Sequence, residues 1–413
     1  MKKKALVVGW GVSGKAAALF LLSLGYEVCA ADRKIPEHLL QDVQFFQEKE
    51  VGALDQFSLL VLSPGVPLTH FLPVQAQKDG VEIVGEAELA FRYLRQKAVA
   101  ITGTNGKTTV TSLVEHVLRS CGKKAKAVGN IGTALTEYAL KADPEEIAVV
   151  ELSSYQLETL ESSPFMAAVL LNITPDHLDR YPSLEEYAQA KVKIEKSLQP
   201  QGTLYVYEEA AKEYSSLFTK PFVSFIGESD WIPLEGHELV NATAASLLCA
   251  KFGVTKPEFA QALQTFQKPF HRIEFVKEIA GVQYYDDSKG TNVDAVIKAV
   301  ASMKGSVVLI AGGVDKGSSY LPWKEAFQGK VKSLLVIGES AKKIEEELNS
   351  SFSINVLASL EDAVRKAAKI AESGDCVLLS PGCSSFDMFR DYVHRGQEFQ
   401  RYVCSLEERR ELS

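Results

Sequence analysis

Short aliphatic and β-branched runs alternate with longer amphipathic stretches along the chain, and this alternation limits the fold more than any other feature. Strands separated by helices are typical of parallel α/β domains, because a parallel neighbour is reached only through a crossover connection. A chain of 413 residues is too long for one compact core, so we expect more than one such domain. The predicted strands are ALVVG (5–9), LLVLS (59–63), AVAIT (98–102), IAVVEL (147–152), AAVLLNI (167–173), VVLIAGG (307–313), LLVIGE (334–339) and CVLLSPG (376–382).

Glycine turns that follow predicted strands divide the sequence into three parts. They recur near residues 9, 103 and 312, which indicates three α/β domains. The polar segment RYLRQK (92–97) and the proline-containing segment QKPFHRIE (267–274) interrupt the pattern. The predicted domains are therefore 1–96, 97–269 and 270–413.

Composition and net charge argue against several classes of partner. The chain is 46% hydrophobic and 24% charged, as in ordinary globular proteins, and its net charge is −8. An acidic protein of this kind has no general attraction for nucleic acid or for an anionic membrane. The six cysteines are scattered without a C-x-x-C pair, which favours reduced thiols in a cytoplasmic protein over a disulfide framework or a zinc site.

The N-terminal sequence MKKKALVV has the charged start of a signal peptide. Its apolar run stops at Gly9, and the next residues include Gly11, Gly14 and Lys15, which interrupt any longer apolar segment. We therefore expect a strand, a glycine turn and a helix here, and no secretion signal. No stretch of the sequence approaches the roughly 18 uninterrupted apolar residues of a membrane span, so we expect no membrane partner.

A short glycine loop in the segment ITGTNGKTTV (101–110) follows a predicted strand. Only Thr104 and Asn105 separate Gly103 from Gly106, so the loop is shorter than the usual phosphate-binding pattern G-x-x-x-x-G-K-[ST]. The spacing alone therefore leaves open whether this is a nucleotide loop or a solvated glycine turn.

The residues after this loop predict a helix. Apolar residues in VTSLVEHVLRSCG (110–122) recur at helical spacing, and Gly122 suits the end of a helix. Free N–H groups at a helix N-terminus attract phosphate, Lys107 can reach terminal phosphates, and the Thr108 hydroxyl can ligate Mg²⁺. Strand, loop, lysine and helix in this order favour the nucleotide loop.

A Mg²⁺ ion at this loop needs oxygen ligands near the ends of neighbouring strands. Glu151 ends one predicted strand, and Asp176, His177 and Asp179 follow another in TPDHLDRYPS (174–183). An exposed strand end for Glu151 and an ordinary surface loop for the second cluster are the alternatives. A strand-end cluster of this composition suits a metal–phosphate site.

One lysine lies in the apolar stripe of a predicted helix. Ser183 and Glu186 form the capping-box pattern that starts this helix. Its apolar face is formed by Leu184, Tyr187, Ile194 and Leu198. Lys191 falls on that face, whereas Lys193 is turned by roughly 200° and should face solvent. Periodicity alone favours a snorkelling Lys191, and the alternative is a desolvated amine that reacts with CO₂ to give a metal-binding carbamate.

Several motifs together resemble those of the Mur ligases, which are ATP-dependent enzymes that add amino acids to the peptidoglycan precursor. These motifs are GTNGKTT (103–109), GN (129–130), ELSSYQLE (151–158), NITPDHLDRY (172–181) and AK (190–191). The short spacing of the glycine loop is that family's own. The motifs DDSKGTN (286–292), GGVDKG (312–317) and LLSPGCSSFDMF with RGQEF (378–399) are similar to those of the members that add D-glutamate. The resemblance covers essentially the whole chain, in order.

The resemblance implies an α/β protein of three domains. The N-terminal domain would be a Rossmann-like UDP-binding domain, the central domain P-loop ATPase-like with a mostly parallel sheet, and the C-terminal domain Rossmann-like. The implied reaction adds D-glutamate to UDP-N-acetylmuramoyl-L-alanine through an acyl phosphate, with ATP, two Mg²⁺ sites and a CO₂-derived carbamate as cofactors. We expect a cytoplasmic monomer with no nucleic-acid or membrane partner.

The resemblance also implies roles for individual positions. ATP binding is implied for Gly103, Thr104, Asn105, Gly106, Lys107, Thr108, Thr109, Asn241 and Arg272. The implied metal ligands are Thr108, Glu151, His177 and a carbamylated Lys191, and the implied catalytic residues are Lys107, His177 and Lys191. The UDP-sugar would contact Val12, Ser13, Asp32, Arg33, Ser63, Gly65 and Asn130. D-glutamate would contact His177, Lys289, Thr291, Lys316, Ser385 and Phe386.

Two alternative functions come from the glycine motifs taken separately. GWGVSG (9–14), which precedes Asp32 at a strand end, alone supports a dinucleotide site and an NAD-dependent dehydrogenase. That alternative leaves the central glycine loop and Lys191 unexplained. A nucleotide-regulated binding module would retain ATP at the central loop without amino-acid-dependent phosphate release.

A few residues depart from the family's motifs. Gly290 and Gly382 replace alanines that are usual there, and Glu238 replaces an asparagine common after His237. None of these changes removes a catalytic group. Glu238 lies three residues before Asn241, one of the positions to which the resemblance assigns ATP binding.

Overall fold

The computed structural model of the protein describes residues 3–36, 38 and 40–410. Within this part of the chain, the strands form three mostly parallel sheets, and helices connect most of the strands. The predicted α/β fold class is therefore confirmed. Each predicted strand is present, with some ends shifted by a few residues.

The first sheet is parallel and has the strand order β3-β2-β1-β4-β5. Its strands are β1 (Lys4–Val8), β2 (Glu27–Asp32), β3 (Val43–Gln47), β4 (Leu59–Leu62) and β5 (Glu82–Gly85), and its helices are α1 (Val12–Ser23), α2 (Phe71–Lys78) and α3 (Glu86–Phe91). Ala5 and Val7 pack with α1 on one face, whereas Leu6 and Val8 pack with α2 on the other. Burial on both faces explains the uninterrupted apolar run of β1.

The start of the chain has the predicted order of strand, glycine turn and helix, since β1 is followed by Gly9 with a φ of 90° and then by α1. That prediction is confirmed. The connections after β1 and β4 lead to helices on opposite faces of the sheet. Neighbouring loops that part in this way leave a crevice at the carboxyl ends of the strands.

The second sheet is also parallel, in the order β11-β10-β9-β6-β8-β7. Its strands are β6 (Ala98–Thr102), β7 (Ala125–Gly129), β8 (Ile147–Glu151), β9 (Phe165–Leu170), β10 (Leu198–Tyr207) and β11 (Val223–Phe225). The accompanying helices are α4 (Lys107–Ser120), α5 (Leu135–Lys141), α6 (Ser154–Leu157), α7 (Leu184–Val192), α8 (Glu208–Glu213), α9 (Gly236–Ala250) and α10 (Lys256–Leu263). Strand β6, which leads into the glycine loop, lies between β9 and β8.

Helix α4 has the apolar stripe that its sequence predicts. Val110, Leu113 and Val117 are buried in the core of the second sheet, and Gly122 follows the helix with a φ of 73°. The helix begins at Lys107, directly after the glycine loop. The prediction of a strand, a loop and a helix N-terminus is therefore confirmed.

The helix predicted to run as far as Leu198 is shorter in the structure. Helix α7 ends at Val192, a 3₁₀ turn follows at Lys193–Ser197, and β10 begins at Leu198. The helical periodicity is lost at the 3₁₀ turn, so the expectation that Lys193 faces solvent is wrong. Lys193 is partly buried, and its Nζ donates to the Glu158 carbonyl at 3.2 Å.

The third sheet has the order β12-β13-β17-β14-β15-β16. Its strands are β12 (Glu274–Ile279), β13 (Val282–Asp286), β14 (Val307–Gly312), β15 (Val331–Ile337), β16 (Ile354–Val356) and β17 (Cys376–Leu379). The helices are α11 (Val293–Ser302), α12 (Trp323–Ala326), α13 (Ala341–Leu348), α14 (Leu360–Ile370) and α15 (Tyr392–Arg410). Strands β12 and β13 form an antiparallel hairpin that the sequence analysis did not predict, and the other pairs are parallel.

The chain divides into two compact units. The first unit comprises residues 1–173 and 185–267 and contains the first and second sheets, whereas the second unit comprises residues 174–184 and 268–413 and contains the third sheet. The predicted bounds of three domains stay predictions. In the described part of the chain, no helix combines the length and apolar character needed to cross a membrane.

Candidate active site

A cavity of about 490 Å³ opens at the carboxyl end of the first sheet, where the loops after β1 and β4 part. All the residues assigned above to the UDP-sugar line this cavity, namely Val12, Ser13, Asp32, Arg33, Ser63, Gly65 and Asn130. Helix α1 begins here at Val12, behind Gly11, which has no side chain to cap it. The first N–H groups of α1 are therefore available to an anionic ligand.

Asp32 and Ser63 fix the shape of the first glycine loop. The two Asp32 carboxylate oxygens accept hydrogen bonds from the backbone N–H groups of Trp10 and Arg33, each at 2.6 Å. Ser63 Oγ donates to the Gly9 carbonyl at 2.7 Å. A Cβ at Gly14 would lie 1.9 Å from that same carbonyl, so only glycine allows α1 to approach the loop this closely.

The second glycine loop turns sharply into α4. Gly103 and Gly106 have φ values of 148° and 87°, which lie in the left-handed region that favours glycine. Lys107 is the first residue of α4, and its Nζ donates to the carbonyls of Gly103 at 2.8 Å and of Thr104 at 2.9 Å. Thr108 is buried, and Thr109 is partly buried. The lysine thus lies over the loop from which it would reach a phosphate.

Asn172 braces this loop, although its sequence context indicates no such role. Its backbone carbonyl accepts from Thr104 N at 2.8 Å, and its side-chain oxygen accepts from Asn105 N at 2.8 Å. Its side-chain amide donates to the Asn105 carbonyl at 3.1 Å. Asn172 follows β9, the strand beside β6, so an amide just beyond a neighbouring strand was the signal available in the sequence.

Asn241 lies against the same loop. A Cβ at Gly106 would approach Asn241 Oδ1 to 2.5 Å, so the loop and α9 pack too closely for a larger residue. The structure therefore brings Asn241 together with the glycine loop, as its assignment to the nucleotide site requires. Arg272, assigned to the same site, lies in the second unit just before β12.

Glu151 ends β8, the other neighbour of β6, and is 1% exposed. The alternative of an exposed strand end is therefore wrong. Its Oε1 accepts from Asn130 Nδ2 at 2.8 Å. Its Oε2 is buried and has no hydrogen-bond partner among residues 3–36, 38 and 40–410. A buried carboxylate oxygen in this state fits a metal ligand, because buried polar atoms are otherwise almost always satisfied.

Lys191 is 1% exposed, so snorkelling, which would keep its amine in water, is wrong. Its Nζ donates to the Gly103 carbonyl at 2.8 Å, the carbonyl that Lys107 also uses. It also lies 4.5 Å from the centre of the Tyr187 ring, and the Tyr187 hydroxyl is 3.3 Å from Thr104 Oγ1. Two lysines therefore converge on the glycine loop.

In the second unit, a lysine, a threonine and an aspartate lie together. Lys316 Nζ is 3.0 Å from Asp176 Oδ1 and donates to Thr291 Oγ1 at 3.3 Å. Asp176 Oδ2 also accepts from Asn292 Nδ2 at 3.3 Å. His177, the next residue, has a φ of 57° and its Nε2 is 3.6 Å from Asp176 Oδ2. Three of the residues assigned to D-glutamate are thus brought together around Asp176, for which the sequence suggests only a metal–phosphate site.

Apart from His177, which follows β9, the residues assigned to D-glutamate lie on loops that leave adjacent strands of the third sheet. These loops follow β13, β17 and β14, which are consecutive in the sheet. Lys289 Nζ lies 5.0 Å from the centre of the Tyr392 ring. Ser385 is buried, whereas Phe386 is 74% exposed.

The two glycines that depart from the family's motifs suit their surroundings here. A Cβ at Gly290 would lie 2.3 Å from Asp287 Oδ2, and one at Gly382, which has a φ of 68°, would lie 2.9 Å from the Trp323 ring. Alanine at either position would require the neighbouring groups to move.

Asp287, in the loop after β13, is buried, and the pKa of its carboxyl lies well above its ordinary value. Burial raises the pKa of its carboxyl to about 7, although a hydrogen bond from Ser380 Oγ at 2.7 Å and the charge of Arg272 favour the ionised form. The native state therefore binds a proton at Asp287 under conditions in which the unfolded chain, with an ordinary pKa of 3.8, has lost it.

We expect Asp287→Asn to remove a pH-dependent loss of stability. Because the folded pKa is the higher one, the contribution of Asp287 to stability declines as the pH rises from about 4 to about 7 and then levels off. Between pH 5 and pH 6 the free energy of unfolding of the wild type should fall, relative to the variant, by about 1.4 kcal/mol per pH unit, and the fall should become shallower towards pH 7. Urea unfolding of both proteins across this range measures the difference, and parallel curves would contradict the prediction.

Family models match the chain in three places. The Mur ligase MurD-like N-terminal domain matches residues 3–85, the Mur ligase middle domain matches residues 101–229, and the Mur ligase glutamate ligase domain matches residues 271–383. The matches follow the order of the three sheets.

Comparison with known proteins gives long matches. A UDP-N-acetylmuramoylalanine–D-glutamate ligase of Protochlamydia amoebophila is 46% identical over 98% of both chains. A ligase of the same name from Caldanaerobacter subterraneus is 40% identical over 98% of this chain and 99% of its own. The crystal structure of MurF ligase from Thermotoga maritima in complex with ADP has a TM-score of 0.60 at 16% identity, over 99% of this chain and 96% of that one, and agrees in fold. With relatives this similar along nearly its whole length, the chain belongs to the Mur ligase family.

Proposed function

We propose that this chain is an ATP-dependent ligase that joins D-glutamate to UDP-N-acetylmuramoyl-L-alanine and releases ADP and phosphate. The observation that carries the proposal is the 46% identity, over 98% of the chain, to a relative named as that ligase. The Mur ligase domains along the chain agree with an ATP-dependent reaction that forms an amide bond. A dehydrogenase at the first glycine motif has no support from these relatives. The cytoplasmic location and monomeric state stay predictions.

The reaction has two chemical steps. The carboxylate of the UDP-sugar substrate attacks the γ-phosphorus of ATP, so that an acyl phosphate forms and ADP leaves. The D-glutamate amine then attacks the acyl carbon, loses a proton and displaces phosphate through a tetrahedral intermediate. Both steps concentrate negative charge, so the protein must supply cations and N–H donors.

The loop at 103–109 is the proposed ATP phosphate site. The N–H groups at the start of α4 and the helix dipole favour phosphate there. Lys107 holds two backbone carbonyls of the loop, and we propose that its ammonium exchanges them for phosphate oxygens when ATP binds. Asn172 and Asn241 keep the loop in shape, because both pack directly against it.

The buried Glu151 carboxylate supports a Mg²⁺ site near this loop. Its Oε1 is held by Asn130, and its Oε2 has no hydrogen-bond partner in the described residues, so that oxygen can ligate a cation. We propose Thr108 and a carbamate on Lys191 as further ligands, and His177, which lies in the second unit, stays a predicted metal ligand. Bound Mg²⁺ would offset the charge of the ATP phosphates.

The cavity at the first sheet is the proposed UDP site. Its volume of about 490 Å³ lies within the usual range for small-molecule sites. The diphosphate would bind the N–H groups at Val12 and Ser13, as anions do at helix N-termini. Asn130 lines this cavity and also donates to Glu151, so it connects the sugar-nucleotide site to the proposed metal site.

The cluster in the second unit supports an amino acid with two carboxylates. Lys316 and Lys289 would each offset one carboxylate of D-glutamate, and Thr291 and Ser385 would fix its orientation. Asp176 already engages Lys316, so this lysine is held in place by an anion before the amino acid binds.

The proposed function predicts that phosphate release requires four components together: ATP, Mg²⁺, UDP-N-acetylmuramoyl-L-alanine and D-glutamate. Each is needed because the acyl phosphate forms only with ATP and the UDP-sugar and is consumed only by the amine. A coupled phosphate-release assay, in which each component is omitted in turn, tests this requirement.

The same assay distinguishes the alternatives when D-glutamate is replaced by L-glutamate or L-alanine. Equal turnover with L-glutamate or L-alanine would overturn the D-glutamate assignment and leave the fold unaffected. ATP binding without any amino-acid-dependent phosphate release would favour the nucleotide-regulated module.

A further inference from the structure

A buried arginine lies beneath the loops to which D-glutamate binding is assigned. Arg395 in α15 is 1% exposed, and burial lowers the pKa of its guanidinium to about 10. Among residues 3–36, 38 and 40–410, it forms hydrogen bonds to hydroxyl and carbonyl oxygens and no ion pair. Burying a cation without a directly paired carboxylate is costly, so the side chain must do something that an apolar residue cannot.

Every N–H donor of this guanidinium has a partner. Nε donates to Ser288 Oγ at 3.0 Å. One terminal nitrogen donates to the carbonyls of Cys383 at 3.2 Å and Ser384 at 3.3 Å. The other donates to the carbonyls of Ser288 at 2.8 Å and Cys383 at 3.2 Å. Arginine has five N–H donors in a planar fork, whereas lysine has three on a single atom, so lysine cannot reproduce this set.

These partners belong to two of the loops with assigned roles. Ser288 directly precedes Lys289, in the loop after β13, and Ser384 directly precedes Ser385, in the loop after β17. One planar group therefore sets the distance between the two loops. A further backbone hydrogen bond, from Gly382 N to the Gly290 carbonyl at 2.8 Å, ties the same pair of loops together.

The loop after β14 is joined to this arrangement through Ser384. The backbones of Ser384 and Val314 exchange hydrogen bonds of 3.1 and 2.9 Å, and Val314 precedes Lys316 by two residues. A Cβ at Gly313 would lie 2.1 Å from the Ser384 carbonyl and 3.3 Å from the Arg395 guanidinium. Glycine is therefore required where this loop passes the arginine.

The position of α15 is itself held closely. A Cβ at Gly396 would lie 2.2 Å from His271 Nδ1 and 2.7 Å from Asp286 Oδ2, two atoms that are 2.7 Å apart. Gln400, one turn further along, also donates to Asp286 Oδ2 at 2.9 Å. The helix that carries Arg395 is thus fixed against the end of β13.

We propose that Arg395 is a positioning residue for the amino-acid substrate, which holds the loops after β13, β17 and β14 at the separation that D-glutamate requires. This inference rests on the proposed function. The arginine does not touch the substrate in our proposal. It acts through Ser288, Cys383 and Ser384, whose neighbours Lys289 and Ser385 make the contacts.

The test compares the Michaelis constants of the three substrates in the full-length protein. Arg395→Lys keeps the charge but loses the fork, so we expect the KM for D-glutamate to rise at least tenfold while those for ATP and the UDP-sugar change less than twofold. Ser288→Ala removes one acceptor and should raise only the D-glutamate KM, by about threefold. Arg401→Lys is the matched control, because Arg401 lies on the same helix, is largely exposed and pairs with Glu398, and its KM values should not change.

Amide hydrogen exchange provides a readout that does not depend on turnover. In Arg395→Lys without ligands, the segments 287–291 and 382–386 should exchange faster, while the amides of β14 and β17 stay protected. An equal rise in all KM values, or unchanged D-glutamate KM and loop exchange, would overturn the inference. If Arg395→Lys does not fold, an unchanged D-glutamate KM in Ser288→Ala overturns it. A wild type that fails to use D-glutamate would instead refute the proposed function.

Discussion

Replacing Lys107 with alanine is expected to lower kcat at least about a thousandfold, the scale seen when a cation is removed from a phosphoryl-transfer site. Lys107 is the first residue of α4, and its ammonium lies within 2.9 Å of the two loop carbonyls Gly103 and Thr104. Its removal leaves the phosphate charge without that cation. The fold should survive, because the side chain is only partly buried and the glycine loop keeps its contacts to Asn172. Steady-state kinetics together with calorimetric titration of each substrate measures the effect.

Asp32→Ala is the matched variant at the other glycine loop. It removes the hydrogen bonds that hold Trp10 N and Arg33 N at the edge of the cavity in the first sheet. We expect the UDP-sugar to bind at least about tenfold more weakly, which corresponds to the loss of one or two charge-assisted hydrogen bonds, with ATP binding unchanged. If Lys107→Ala instead loses affinity for the UDP-sugar and keeps that for ATP, the assignments of the two loops are reversed.

The parts of the fold that the sequence predicted are those whose burial leaves a local pattern. Strand β1 is buried on both faces, so each of its side chains after Lys4 is apolar. Helix α4 is buried on one face, so its apolar residues recur at helical spacing. Strand β13 alternates buried and partly buried residues and contains Asp286, so it has no apolar run, and its hairpin with β12 was not predicted.

The site residues that could be predicted are those at the ends of strands, because parallel strands bring their carboxyl ends to one edge of a sheet. This is why Glu151 and the glycine loop could be associated from the sequence. The brace between Asn172 and Asn105 joins residues 67 positions apart, and no pattern in a single sequence records such a pair. The same is true of Arg395, which lies 107 positions from Ser288 and in a helix with no apolar signal at that residue.

Periodicity was correct for Lys191 and wrong two residues later. The stripe placed Lys191 inside, and it is buried. At Lys193 the chain leaves the α-helix for a 3₁₀ turn, which changes the direction of the following side chains. Lys193 is therefore only partly exposed, whereas Lys196 in the same turn is exposed and serves as the control for a variant of Lys191.

Lys191→Ala is expected to reduce kcat at least about a thousandfold. This is the scale of the loss when a charged group is removed from a phosphoryl-transfer site. We propose that the neutral amine attacks CO₂, forms an N–C bond and releases a proton, so that a cation becomes a metal-binding anion. Burial of Lys191 at 1% exposure favours this step, because desolvation favours the neutral amine. Glu151, which ends β8 beside β6, is also buried, and we propose it as a second carboxylate ligand.

The alanine variant leaves a carboxylate-sized gap, so a small carboxylate such as acetate should restore part of the activity. Lys196→Ala should leave kcat unchanged, with or without acetate. A readout independent of turnover is the ¹³C resonance of a lysine carbamate in protein incubated with Mg²⁺ and ¹³C-bicarbonate, which should be absent from Lys191→Ala and present in Lys196→Ala. An unmodified Lys191 in a fully active, Mg²⁺-loaded enzyme would refute carbamylation and leave Lys191 as a buried cation that, together with Lys107, holds the Gly103 carbonyl.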